Sequence, residues 1–251
     1  MKEVFSMTEI NILQRLADRE CFKMRDFFEV YYSDGGTLGE AALRKRVQEL
    51  LNNGYISRIG RGIYCVSKNE TEQYKYDYSE LSCEVANIIK ENHPYLNFTI
   101  FEQIQLNEFV NHQLAHNVIF LSIEDDLADF VFDTLKEVYP GKVLLNPTLD
   151  IYHQYWYDNM IVIGKLITEA PKGIKDRWHT RIEKLLVDIV SEPLIIDSLS
   201  AGEYPTIYEE AFRKYVIDES CLFRYAKRRS ADKKIRKIIT EKTNIKLKTK
   251  E

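Results

Sequence analysis

A helix predicted to begin at Thr37 and to end near Asn53 carries the side chains best suited to contacting nucleic acid. Thr37 and Glu40 have the spacing of a capping box, which satisfies free backbone N–H groups at a helix start. Apolar residues recur at helical spacing and assign one face to a core: Leu43, Val47, Leu50 and Leu51. The opposite face can approach a major groove, and Arg46 beside it could contact a phosphate. Four side chains of this face could contact base edges: Ala41, Arg44, Lys45 and Gln48.

A basic β-hairpin is predicted directly after this helix. The runs Tyr55–Ile59 and Ile63–Val66 have strand composition, and Gly60-Arg61-Gly62 between them allows the positive φ of a tight turn. Arg58 and Arg61 would lie at or beside the hairpin tip, where phosphates are usually met.

Two shorter helices are predicted upstream. Ser6 and Glu9 form another capping-box pattern, followed by an apolar stripe of Ile10, Leu13, Leu16 and Ala17. A second helix is predicted over 22–31, with Phe27, Phe28 and Tyr31 packing under the third helix. This order of elements predicts a winged helix-turn-helix over residues 1–70, with an ordinary helix–hairpin corner and a solvated charged face as the alternative.

Length, charge and cysteine content limit the possible classes of protein. The chain of 251 residues has no apolar run of the ~18 residues that a membrane helix needs, and Met1–Ile10 lacks a signal-peptide core, so a cytoplasmic protein is expected. The four cysteines are far apart and predict neither a zinc knuckle nor a disulfide framework. The formal charge is +1 for residues 1–70, −14 for 71–221 and +9 for 222–251, so an acidic middle precedes a basic end.

After a polar linker predicted at Lys68–Tyr76, strands and helices alternate. The patterns predict helices around Leu81–Ile89 and Asp125–Tyr139 and several short strands, followed by three C-terminal helices at 178–191, 206–217 and 221–239. This predicts a layered α/β domain over 77–240 around a small central sheet, so the fold class is α+β overall. Residues 241–251 are expected to form a flexible tail.

The last of these predicted helices is strongly basic. Its apolar residues, Leu222, Phe223, Ile235, Ile238 and Ile239, look too sparse for a deep core. The helix could therefore lie on nucleic acid or on a partner protein through eight basic residues: Arg224, Lys227, Arg228, Arg229, Lys233, Lys234, Arg236 and Lys237.

Three other groups of residues offer weaker chemistry. His112 and His116 have the i, i+4 spacing of metal ligands on a helix, but no third ligand is near them in sequence, so an exposed polar face is expected. Glu183 and Asp188 could be nuclease carboxylates, yet the Asp/Glu-x-Lys unit such enzymes need occurs only at Asp232-Lys233-Lys234, inside the basic helix. The aromatic run at 152–157 could serve an interface or stack on bases, although core packing or partial burial is favoured.

Two sequence blocks resemble a known family. LRKRVQELLNNGYISRIGRGIY in the N-terminal part and RIEKLLVD at 181–188 resemble the AbiEi-type antitoxins of bacterial type IV toxin–antitoxin, or abortive-infection, systems. The resemblance implies an N-terminal winged helix that binds the promoter of its own operon, with contacts from Arg44, Lys45, Arg58 and Arg61. It also implies a larger C-terminal domain that acts against a nucleotidyltransferase-type toxin from the adjacent gene, with or without direct contact.

Sequence and resemblance together predict a promoter-binding autorepressor and antitoxin that is not an enzyme and needs neither cofactor nor metal. The runner-up is a nuclease-like enzyme that its winged helix targets to DNA. A ligand-sensing regulator ranks third, because the chain has no glycine-rich phosphate loop.

Overall fold

The computed structural model describes residues 7–67 and 72–249, with the backbone alone for 7–10 and 125. The chain has an α+β fold with two sheets and divides into two compact units. The first unit combines Met1–Gln73 with Lys214–Ser220 and Lys246–Glu251. The second combines Tyr74–Arg213 with Cys221–Ile245, so both units are built from segments distant in sequence.

The first unit contains three helices and a small antiparallel sheet. Its elements in chain order are α1 (Met7–Ala17), β1 (Phe22–Lys23), α2 (Met24–Ser33), α3 (Glu40–Asn52), β2 (Ile56–Gly60) and β3 (Ile63–Val66). The strand order is β1-β3-β2, and β2 and β3 form the predicted hairpin. Its core joins the inner faces of the helices to the sheet through buried residues that include Leu16, Phe22, Phe27, Leu43 and Ile56.

Several local predictions for this unit were wrong. Gly39 is the N-cap of α3, which begins at Glu40 and has no side-chain cap, so the capping box at Thr37 does not form. Phe22 belongs to β1 instead of α2, because it pairs with Tyr64 across the sheet. The inward face of α1 includes Ile12 and Leu16, whereas Ala17 is exposed. The capping residue Ser6 lies outside the described residues.

The second unit is a four-stranded sheet with helices. Its elements are α4 (Glu80–Asn92), β4 (Phe98–Glu102), β5 (Val118–Ile123), α5 (Ala128–Val138), β6 (Val143–Leu145), α6 (Leu149–Tyr155), β7 (Met160–Lys165), α7 (Ile182–Ser191), α8 (Pro193–Asp197), α9 (Glu203–Lys214), α10 (Glu219–Arg228) and α11 (Asp232–Lys242). The last residue of α9, Lys214, and the first two of α10, Glu219 and Ser220, belong to the first unit. The strand order is β4-β5-β7-β6, with β5, β7 and β6 parallel and β4 antiparallel to β5.

Helix α7 is buried on every side, because all nine residues from Ile182 to Val190 are buried. The charged residues Glu183, Lys184 and Asp188 lie inside the protein, where each requires a partner.

The predicted basic helix at 221–239 is two helices, α10 and α11, separated at Ser230, which has a φ of 53°. The expectation that its apolar residues cannot form a core was wrong. Tyr225 and Ala226 on α10 are buried. All five of the apolar residues named in the prediction are buried as well: Leu222, Phe223, Ile235, Ile238 and Ile239.

The predicted linker is described only in part, and the predicted tail makes hydrogen bonds to the rest of the chain. Residues 68–71 of the linker lie outside the described residues, and Glu72 pairs with Tyr215. The predicted flexible tail begins inside α11, and its backbone is then held by two carboxylates. The Asn244 N–H donates to Glu209 Oε1 at 3.0 Å, and the Thr249 N–H donates to Glu219 Oε2 at 2.7 Å.

Candidate nucleic-acid interface

The outer face of α3 is available to a ligand. Leu43, Val47 and Leu50 are buried on the inner face, whereas the side chains predicted to meet base edges are exposed: Ala41, Arg44, Lys45 and Gln48. Residues three or four positions apart lie on the same face of a helix, so the apolar residues form one face and the polar residues the other. Because the apolar face packs into the core, the polar face is exposed to solvent.

The polar side chains on this outer face have only weak local partners. Arg44 lies 3.6 Å from Glu40, and its guanidinium stands 5.6 Å from the ring centroid of Phe28. Gln48 Nε2 donates to Asn52 Oδ1 at 3.1 Å. Exposed pairs of this kind contribute at most about 1 kcal/mol, so a duplex could replace them at little cost.

Arg46 is less accessible than its neighbours on α3. It is half-buried, and its guanidinium lies 2.6 Å from Glu49. The position at the edge of the packed face suits a residue that contacts phosphate from the side and does not enter the groove.

The hairpin holds its two arginines at a well-defined turn. Arg58 and Arg61 are both exposed, and Arg58 Nε donates to the carbonyl of Gly60 at 3.1 Å. Gly62 has a φ of 70°, the conformation that glycine was predicted to provide. The Arg61 N–H donates to Ser220 Oγ at 3.0 Å, which ties the tip of the hairpin to a segment 159 residues away.

The eight basic residues predicted on one helix lie on α10 and α11, except Arg229, which lies between the two. Five contact other groups of the second unit. Arg224 and Arg228 pair with Glu169 at 3.3 and 2.9 Å, and Arg229 with Glu192 at 2.9 Å. Lys234 Nζ donates to the carbonyl of Val190 at 3.1 Å, and Arg236 stands 3.8 Å from the ring centroid of Phe223. Arg229 and Arg236 are half-buried. The other six are exposed: Arg224, Lys227, Arg228, Lys233, Lys234 and Lys237.

The two carboxylates considered for nuclease chemistry do not converge on one point. Glu183 pairs with Arg181 at 2.8 Å. Asp188, more than one helical turn further along α7, accepts from Lys184 Nζ at 2.5 Å and from the Tyr225 hydroxyl at 2.9 Å. Burial, and secondarily Asp188, raises the pKa of Tyr225, so the phenol stays a hydrogen-bond donor.

The histidines suggested as metal ligands lie in the loop before β5 and not on a helix. His112 faces Glu203 at 3.9 Å, and His116 faces Asp158 at 3.7 Å. Within the part of the chain that the structure describes, no group of three or more His, Cys, Asp or Glu side chains is arranged to hold a metal ion.

The expectation of core packing or partial burial is confirmed for Tyr152 and for the half-buried Tyr157, but it is wrong for the exposed Tyr155 and Trp156. Tyr152 is buried on α6, whereas Tyr155 and Trp156 are 56% and 38% exposed. The His116 ring meets Trp156 edge-on at 5.2 Å. Burial raises the pKa of Tyr152, and the nearby Asp197 carboxylate raises it further.

Sequence reasoning missed Glu219 and Ser220, which contact the tail and the hairpin. Glu219 is 3% exposed, and both residues act on segments far away in sequence. An isolated Glu-Ser pair at a helix start carries no local signal for such bonds.

These features define an α+β protein in which an exposed basic helix face and a basic hairpin belong to one compact unit. The chain belongs to DUF6577, a family of unknown function whose model matches residues 42–245. No curated protein matches it. A solved structure similar to this chain is that of the RV2827C protein from Mycobacterium tuberculosis, with 10% sequence identity and a TM-score of 0.24. The match covers 97% of this chain and 84% of that chain, and no functional inference follows from it. Among the described residues, no helix is long and apolar enough to cross a membrane.

Proposed function

We propose that this protein is a DNA-binding transcriptional autorepressor, with a winged helix-turn-helix in its first unit. The observation that carries the proposal is the exposed outer face of α3, followed directly by a hairpin with two exposed arginines. A helix that presents short and basic side chains outward fits a major groove, and a basic hairpin beside it fits the flanking backbone.

The two groups of residues divide the work of recognition. Ala41, Arg44, Lys45 and Gln48 read base edges, because they occupy the outermost positions of α3. Arg46, Arg58 and Arg61 contact phosphates, because they lie at the edge of the helix or on the hairpin.

The second unit is proposed to supply antitoxin activity against a nucleotidyltransferase-type toxin encoded by the adjacent gene. Support comes from the resemblance of two sequence blocks to AbiEi-type antitoxins and from the charge of −14 over residues 71–221, which suits contact with a basic partner better than contact with DNA. In this proposal the protein acts in the cytoplasm through binding, without catalysis.

The test has separate readouts for the two activities. Binding to a duplex from the chain's own promoter and to a shuffled duplex is compared by fluorescence anisotropy. Equal and weak binding to both overturns the repressor proposal. Antitoxin activity is scored as rescue of growth on co-expression with the product of the adjacent gene, when that product alone is toxic. A harmless neighbour, or rescue that never occurs, overturns the antitoxin proposal.

Point variants separate the two activities better than truncation does. The first unit includes 214–220 and 246–251, so deletion of residues 1–70 would remove only part of it. The variant Lys45→Ala/Arg61→Ala changes exposed side chains alone and should abolish repression while leaving rescue intact.

A further inference from the structure

The carboxylate of Glu219 holds the end of the described chain. Both of its oxygens lie 3.0 Å from the Lys248 N–H, and Oε2 also accepts from the Thr249 N–H at 2.7 Å and from Thr249 Oγ1 at 2.6 Å. Glu219 itself is 3% exposed. A buried carboxylate with several donors fixes its partner segment firmly, because releasing the segment would leave a buried charge without hydrogen bonds.

The segment that Glu219 holds lies against the turn of the hairpin. A Cβ built on Gly60 would stand 2.7 Å from Thr249 Cγ2 and 3.0 Å from Ser220 Oγ, so a larger residue there would require the Thr249 or Ser220 side chain to move. Ser220 also accepts the Arg61 N–H. Three stretches distant in sequence therefore meet at the hairpin tip, and all three belong to the first unit.

Two lysines of this segment face solvent beside the hairpin. Exposure alternates along it, with Lys246 and Lys248 exposed and Leu247 and Thr249 half-buried. Thr249 makes inward contacts with Glu219 and with the hairpin turn, and the side chains of Lys246 and Lys248 are left exposed.

We propose that the C-terminal segment 246–249 completes the wing, and that Lys246 and Lys248 bind the phosphate backbone of duplex DNA together with Arg58 and Arg61. This inference rests on the proposed DNA-binding function. Glu219 and Ser220 are positioning residues, because they hold the segment and the hairpin tip without touching DNA.

The size of the effect follows from counterion release. Affinity varies with salt concentration to the power of about −0.9 for each phosphate contact, so two lost contacts reduce the slope of log K against log[salt] by about 1.8. If a contact contributes nothing at about 1 M salt, losing it at about 0.1 M salt weakens binding roughly 8-fold.

The experiment measures duplex binding by the full chain across a salt series. Lys246→Ser/Lys248→Ser should lose affinity roughly 60-fold at about 0.1 M salt, with the reduced slope. Lys142→Ser/Lys175→Ser is the matched control, since it removes the same charge from exposed sites of the second unit and should leave both values nearly unchanged.

A second variant tests the role of Glu219. Glu219→Ala should cause the same loss as the lysine pair, and combining the two changes should add little, because both remove the same contacts. Wild-type slope and affinity in the lysine variant, or equal losses in the control, overturn the inference while the proposed function stands. A wild-type chain that binds no duplex overturns both.

Discussion

Replacing Asp188 by Asn should destabilise the second unit more than replacing Lys184 by Met. The two side chains are 10% and 5% exposed and meet at 2.5 Å on the buried helix α7. Breaking a buried ion pair from one side leaves the other charge desolvated, which typically costs about 3–5 kcal/mol.

The predicted asymmetry comes from what each partner retains. Without Asp188, the Lys184 ammonium keeps Ser122 Oγ at 3.5 Å. It is then a buried cation without a nearby anion, so the full penalty applies. Without Lys184, Asp188 still accepts from the Tyr225 hydroxyl at 2.9 Å and lies 3.8 Å from Arg229. Lys184→Met should therefore cost about 2 kcal/mol, the value of one hydrogen bond to a charged group.

Urea unfolding followed by tryptophan fluorescence measures both costs. The chain has two tryptophans, Trp156 and Trp178, and both belong to the second unit, so the signal reports that unit. Equal m-values across variants are needed for the comparison. A larger loss for Lys184→Met than for Asp188→Asn would refute the reasoning. Unchanged stability in Asp188→Asn, together with loss of a magnesium-dependent cleavage, would instead make this carboxylate catalytic and revive the nuclease hypothesis.

Three further outcomes are expected. Arg61→Ala should weaken binding to specific and random duplexes alike, whereas Lys45→Ala should relax sequence preference; anisotropy with both duplexes checks this, and equal losses for both variants would contradict the division of roles. Gly62→Ala should destabilise the first unit by about 1 kcal/mol in chemical unfolding, because Gly62 has a φ of 70°, and an unchanged midpoint would contradict this. Burial lowers the pKa of His179. As the pH falls below about 6.5, this histidine therefore takes up a proton more readily in the unfolded chain than in the folded one, so the free energy of unfolding should decrease there. His179→Gln should flatten that decline in urea unfolding at several pH values, and an unaltered pH profile would count against it.

The periodic parts of the chain could be predicted from sequence, because their patterns are local. Helix α3 and the β2–β3 hairpin form nearly where the spacing of Leu43, Val47 and Leu50 and the glycines around Arg61 indicated. The several short strands predicted after the linker are present as β4, β5, β6 and β7. The exposure of the outer face of α3 is a direct consequence of its periodicity.

Other features depended on contacts that no local pattern encodes. Phe22 joined a strand because its partner Tyr64 lies across the sheet, although its own neighbourhood predicted a helix. The basic sequence of α10 and α11 concealed their buried apolar faces. The aromatic residues around Trp156 gave no indication of which would be covered, since burial depends on the neighbouring elements.

The sequence by itself determined the order of helices and strands, the position of the basic helix face and the separation of acidic and basic segments, because each is a property of neighbouring residues. Only the tertiary structure decided that α7 is wholly buried with its charges paired, and that Glu219 holds the C-terminal segment beside the hairpin. Both depend on buried charges that need partners, and some of those partners lie 29 to 62 positions away in sequence.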